Sequence, residues 1–385
     1  MYAAKIGTAV WTTESVPDHL LMKSLISFFV LGLTSLLPGW GQAPPDQESG
    51  QPTSAGPAIQ SNPFPIEIAG YLSFRTLRDA DLQQGAIYRD YSGSLFLSKT
   101  VGRWRFHAEL NAGNAAEYDS DGIHLLHRWG DLSVKLDNGF VNYTASDSLQ
   151  FEAGFLFIPT YWREHRYEST TLTVDDPLID QNVFPTAFKG GMVHGDRYFG
   201  EGGITYMLYG GVDQENELQP GGQALKTDEA RAVGSKLILH LPSRQFFDTF
   251  DIGLHALRRY TSVDRDDIYG SELIARKQRV ELLAEFAHDS MDIVQGSRGY
   301  IRQGFYIQPS YRLTKKLFAV VRYDRIDHDS RFADESSQSR QSAGLTFRPI
   351  PALSLKLEGD RYQTQTGQRG SYGITTGMVF FFHKP

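Results

Sequence analysis

The feature that most limits what this chain can fold into is an alternation of apolar and polar side chains with a period of two, repeated along nearly all of residues 66–383. Ile66, Ile68, Gly70, Leu72 and Phe74 alternate with Glu67, Ala69, Tyr71, Ser73 and Arg75. Trp104, Phe106, Ala108 and Leu110 alternate with Arg103, Arg105, His107, Glu109 and Asn111, and Leu353, Leu355 and Leu357 with Ser354, Lys356, Glu358 and Asp360. A period of two puts each set on its own face of a β-strand. The predicted strands run to about 9–12 residues, beyond the ~5–6 usual in soluble sandwiches and long enough to cross a bilayer at a tilt.

The connections alternate as well. Short turns are predicted at Lys99–Gly102, Ala145–Ser148, His194–Gly202, Leu241–Phe247, Lys277-Gln278, Thr314–Lys316 and Pro349–Ala352. Between them fall long polar loops at Leu77–Arg89, Gly113–Asp131, Thr160–Ala187, Gln214–Ala230, Asp289–Arg298, Asp329–Gln338 and Thr364–Gly370. Tight turns on one side and long loops on the other are the pattern of an outer-membrane barrel. Keeping that pattern in phase requires Glu272–Asp289 to be split at Lys277-Gln278 into strands 268–276 and 279–288. The count then reaches about sixteen, an even number that lets the sheet close and leaves no unpaired edge in lipid. The fold class predicted is therefore all-β: a transmembrane antiparallel β-barrel of about 16 strands, with long outer loops and short periplasmic turns. Aromatic residues near predicted strand ends (Tyr88, Tyr91, Trp104, Tyr161, Trp162, Tyr198, Phe199, Tyr311, Phe380, Phe381 and Phe382) suit interfacial girdles.

One connection stands apart. Leu149, Phe151, Ala153, Phe155 and Phe157 alternate with Gln150, Glu152 and Gly154 up to Pro159, and then a loop of roughly 25 residues follows, far above the ~4–6 of ordinary connections. In the strand count it is the third outer loop, between the fifth and sixth strands. Its charges are mixed: Glu164, Glu168, Asp175, Asp176 and Asp180 accompany Arg163, His165 and Arg166.

The amino end reads differently. Met22-Lys23 precede an apolar run, Leu25–Leu37, and then Pro38 to Ala43, which is the layout of a secretory signal peptide over 22–43. Residues 1–21 are predicted to be a spurious extension, with translation starting at Met22. Residues 44–65, dense in Pro, Ser, Gly and Gln, are predicted to be a disordered linker, and 66–385 the barrel. A net charge of -7 argues against nucleic acid as a partner.

No motif for chemistry emerges. There is no Cys, no His-Glu-x-x-His helix, no Gly-x-Ser-x-Gly elbow and no phosphate-binding glycine loop; His124 and His127 lack a third ligand nearby. The prediction is no enzyme, no metal and no cofactor. The polar phase of the strands carries charge of both signs. Arg75, Arg103, Arg105, Lys135, Lys236, Arg279, Arg302, Arg312, Arg348 and Lys356 stand against Glu67, Glu109, Asp137, Glu152, Glu281, Glu285 and Glu358. Such a face must line a wet interior, because charge facing lipid is costly.

The stretch DNGFVNYTASDSLQFEAGFLFIPTYW with FPTAFKGGMVHG, and YGSELIARKQRVELLAEFAHD further on, resemble the phosphate-selective porin O and P family. That resemblance implies a sixteen-stranded, trimeric diffusion channel whose third outer loop folds inward as the constriction. The function expected is an outer-membrane porin for small hydrophilic solutes, including anions such as phosphate, with outer-membrane lipid as its surroundings and a homotrimer as its assembly. The constriction is expected at Arg163, Glu164, His165 and Arg166. It would be faced by Arg103, Arg105 and Lys135 on a wall that also holds Arg75, Lys236, Arg279 and Arg302. The alternatives are an outer-membrane hydrolase and a plugged-barrel surface adhesin.

Overall fold

The computed structural model describes residues 66–79, 87–118, 125–165, 170–214, 229–242, 246–260, 264–293, 300–328, 337–364 and 371–384. The predicted signal peptide, its preceding extension and the linker lie outside these residues. Sixteen strands follow one another: β1 (Glu67–Asp79), β2 (Ile87–Val101), β3 (Trp104–Tyr118), β4 (Leu125–Ser146) and β5 (Leu149–Phe157). After two single helical turns, α1 (Tyr161–His165) and α2 (Leu178–Asn182), come β6 (Ala187–Phe199), β7 (Gly202–Gln214), β8 (Glu229–Leu241) and β9 (Thr249–Tyr260). The chain continues through β10 (Asp264–Lys277), β11 (Val280–Ile293), β12 (Tyr300–Arg312) and β13 (Leu317–His328), and ends with β14 (Gln338–Ile350), β15 (Leu353–Thr364) and β16 (Ser371–Lys384).

Each strand pairs antiparallel with the next, and β16 returns to β1, running from Ile68 opposite Lys384 to Asp79 opposite Gly373. The sheet is thus a closed barrel, and every internal ladder has a partner strand. The predicted split of Glu272–Asp289 holds: β10 and β11 meet at a tight turn in which Gln278 takes φ 52°. The short turns fall within or beside the predicted ones, but His194–Phe199 belong to β6, which leaves only Gly200 and Glu201 between β6 and β7.

The faces sort as the period-two pattern requires. Leu72, Phe74, Leu208, Leu254, Leu357 and Ile374 are exposed on the outside, whereas Ser73, Glu109, Glu358 and Asp360 are buried on the inside. An apolar belt of this extent on a soluble protein would be an aggregation surface. At the short-turn end Trp104 stacks near Tyr143 with ring centroids 4.7 Å apart, and Phe247 near Phe250 at 4.9 Å, forming part of the expected girdle.

Several details differ from the sequence reading or add to it. The second outer loop is much shorter than Gly113–Asp131, because β3 and β4 continue their ladder to Tyr118 and Leu125 through three register shifts. Backbone pairing needs no apolar side chain, so polar sequence does not end a strand. The outer connection between β9 and β10 spans only 261–263. His383 and Lys384, beyond the last aromatic residue Phe382, lie in the closing ladder opposite Ala69 and Ile68. Tyr161 and Trp162 are no girdle: both are buried inside the barrel.

The short-turn end also carries a pH-sensitive contact. The Asp248 carboxylate accepts the Gln278 backbone N–H and lies 3.3 Å from Lys277 Nζ. These interactions, the backbone hydrogen bond first, hold its pKa below the ordinary carboxylate value. A depressed folded pKa means the contact stabilises the turn above the unfolded carboxylate pKa and is lost as pH falls through the folded one. Hydrogen exchange should therefore show protection of the Gln278 amide falling in acid, and Asp248→Ala should abolish that acid step.

Candidate functional site

The described parts of the third outer connection, residues 158–165 and 170–186, turn back into the barrel and dock against the wall formed by β8 to β16. The sequence drives this from both sides. On the loop, Ile158, Tyr161, Trp162, Leu178, Ile179, Val183 and Phe184 are buried. On the wall, Leu257, Ile268, Ile274, Leu283 and Ile326 stand on inward positions and pack into the same apolar cluster. Burying a side chain of this kind contributes on the order of 1.5–3 kcal/mol. Gly304 on β12 leaves room for the contact, since a Cβ there would lie 2.7 Å from Ile179 Cγ2.

Polar anchors complete the docking. Asp324 on β13 accepts from the Leu178 backbone N–H at 3.2 Å, from Arg322 Nε at 2.9 Å and from Arg340 Nε at 3.2 Å. Arg322 donates to Thr173 Oγ1 (3.0 Å), Arg340 to the Asp176 carbonyl and Arg348 to the Thr170 carbonyl (2.8 Å). Lys356 Nζ reaches Thr171 Oγ1 at 2.8 Å and the Thr173 carbonyl at 2.9 Å, while Glu358 accepts from the Val174 N–H. Arg322, Arg340, Arg348 and Lys356 of β13, β14 and β15 thus donate to loop carbonyls and hydroxyls. Trp162 is held three ways: its Nε1 donates to Asp176 Oδ1 at 2.8 Å, its ring meets Tyr306 edge-on, and the Arg322 guanidinium lies 5.7 Å from its centroid.

What the loop leaves open is a polar cavity of about 260 Å³ between itself and the β1–β3 wall. Tyr71, Arg75, Asp90, Ser92 and Asn111 line it from the wall, and Arg163, Thr171, Val174, Asp176 and Gln181 from the loop. Arg75 bridges the two sides, with Asp175 of the loop at 2.9 Å and Asp90 of the wall at 3.2 Å.

The predicted site residues divide. Arg163 faces the cavity, ion-paired with Asp180 at 3.0 Å. Glu164 turns away and pairs with buried Lys236 of β8 at 2.6 Å, because adjacent residues on a helical turn point about 100° apart. Lys236 also meets Glu272 at 2.9 Å, so it locks α1 to the wall behind the cavity. The His165 side chain and Arg166 lie outside the described residues. Arg75 lines the cavity, whereas Arg103 and Arg279 occupy the β2–β3 and β10–β11 short turns and Arg105 follows close behind, away from Arg163. Lys135 pairs with Asp137 at 3.3 Å and Arg302 with Asp289 at 3.0 Å. The anchors Arg322, Asp324 and Arg340 had no sequence signal of their own; the apolar residues breaking the polar phase of β9 to β13 were the available clue.

Two other groupings bear on chemistry. Asp175, Glu358 and Asp360 bring carboxylate oxygens within 4.8 Å, but Arg75 and Arg340 lie against Asp175 and Arg322 against Glu358. Thr205, His240 and Asp251 line up with gaps of 2.9 Å each. The Thr205 hydroxyl donates to Asp196, so its proton is not held by the imidazole as a nucleophile's must be.

With this geometry the chain can be compared with known proteins. An anion-selective porin from Comamonas acidovorans superposes with a TM-score of 0.60, covering 83% of this chain and 99% of that one at 10% identity. The fold is that of an outer-membrane porin. A loop L8 deletion mutant of OmpT, an outer membrane protein of Vibrio cholerae, gives 0.57 at 7% identity, and in-vitro folded OmpT in a trimer form 0.54 at 8%. Each of those two covers 83% of this chain and is itself covered to 99%. No family model matches the sequence, and no curated protein matches it. The porin fold and the apolar outer belt together place the barrel in the bacterial outer membrane.

Proposed function

We propose that this protein is a passive diffusion channel for small hydrophilic solutes, with the cavity between residues 158–186 and the β1–β3 wall as its constriction. The observation that carries the reading is the inward loop, which fills one side of the lumen and leaves a polar slot on the other. Arg163 and Arg75 are its basic residues, and passage is governed by how far such groups replace the solute's hydration. A homotrimer is proposed as the assembly, in line with the trimer form described for the Vibrio cholerae protein. A preference for anions such as phosphate, which the family resemblance implies, would draw on Arg75 and Arg163, both held in ion pairs.

Purified protein in planar bilayers should give stepwise conductance; silence accompanied by lipid or peptide hydrolysis would favour the hydrolase alternative. Arg163→Glu sets a carboxylate against Asp180 where an ion pair stood. It should change the conductance step and move the reversal potential toward cations, and an unchanged trace would remove the loop from the pore.

A further inference from the structure

The slot's own residues carry the reading one step further, to the class of solute it admits. Among the described residues its charged lining sets Arg75 and Arg163 against Asp90 and Asp176, with Asp175 behind Arg75 at 2.9 Å. The charges are also interleaved rather than segregated. Arg75 and Asp90 are cross-strand neighbours 3.2 Å apart, with side chains 30% and 27% exposed to the lumen, so a solute meets a dipole and not a field of one sign. Arg163 is answered by Asp180 in the same loop. The remaining lining is Tyr71, Ser92, Asn111, Thr171 and Gln181, all uncharged hydrogen-bonding groups, with Val174 as the apolar member.

An ion entering such a slot gives up hydration and finds attraction and repulsion of similar size at similar distance. A solute without net charge that carries donors and acceptors loses less hydration and exchanges it for hydroxyl, amide and ion-pair partners. The slot is of a size that suits a single small molecule. We infer that the constriction selects polar solutes of zero net charge, either uncharged polyols or zwitterions, and discriminates little between small anions and cations. This inference rests on the channel reading above.

Reversal potentials in a potassium chloride gradient, measured on the full-length protein in planar bilayers, test it. The expected chloride-to-potassium permeability ratio is ~1, within about threefold. Asp90→Asn keeps an acceptor for Arg75 while removing one negative charge, and should raise that ratio about thirtyfold at low salt, because one unit charge at about 4 Å in a water-like medium shifts chloride and potassium about fivefold each in opposite directions. Proteoliposome swelling with glucose and with glycine then separates the two kinds of neutral solute, and faster entry of either than of acetate supports the inference. A wild-type ratio beyond threefold in either direction, or an Asp90→Asn ratio equal to wild type, would overturn it while leaving the channel intact. Loss of all conductance would instead strike the channel reading itself.

Discussion

Asp324→Ala is expected to release the inward loop, at a cost of about 3–5 kcal/mol, the usual penalty for removing one partner of a buried charge cluster. Asp324 is fully buried and holds Arg322, Arg340 and the first N–H of α2 together. Without it Arg322 and Arg340 keep only their more distant carboxylates, Glu358 and Asp175 at 3.8 Å each, and the loop loses the contact that starts its second helical turn. The barrel itself closes through backbone ladders that do not involve this side chain, so it should still fold. Single channels of the variant should show a larger and noisier open level. Asp324→Asn, which preserves size and an acceptor for the Leu178 N–H, should have a smaller effect of the same sign. Equal, wild-type traces from both would mean that the loop is held by other contacts.

Trp162→Ala carries the second large effect, about 3–5 kcal/mol, as for other deletions of a large aromatic from a packed core. The indole fills the space between Tyr306 and Arg322 and ties α1 to Asp176 further along the same loop. Its loss should loosen both helical turns at once, lowering the urea midpoint for unfolding of the loop before that of the barrel. Trp162→Phe, which keeps the ring but not the hydrogen bond to Asp176, should recover most of the stability. A wild-type midpoint for Trp162→Ala would show that the apolar cluster forms without it.

The barrel was legible because its determinants are local. Outward Leu353, Leu355 and Leu357 against inward Ser354, Lys356 and Glu358 is a period that a strand imposes on its own residues, and the Lys277-Gln278 turn follows from parity alone. The third loop's position in the count was legible for the same reason. Its docking was not, since Arg340 with Asp176 or Lys356 with Thr173 joins residues more than 160 positions apart, and no local pattern reports such pairs. Trp162 next to Tyr161 read as an interfacial aromatic because burial inside a barrel and exposure at its rim use the same side chains. On the polar phase the ten basic residues named from the sequence outnumber the seven acidic ones. In the folded chain Lys236, Arg322, Arg340 and Lys356 are occupied in holding the loop, and the slot is left balanced.

The central claim is that residues 158–165 and 170–186 lie inside the barrel against β8 to β16. A cysteine pair tests it directly, because the chain has no Cys of its own. A Cβ at Gly377 of β16 would sit 3.6 Å from both methyl carbons of Val174, so the two positions are in side-chain contact across the junction of loop and wall. In the double variant Val174→Cys, Gly377→Cys, mild oxidation of the folded protein should remove both free thiols and quieten any loop noise in single-channel records. Two thiols that remain titratable in a folded, conducting barrel would contradict the inward loop.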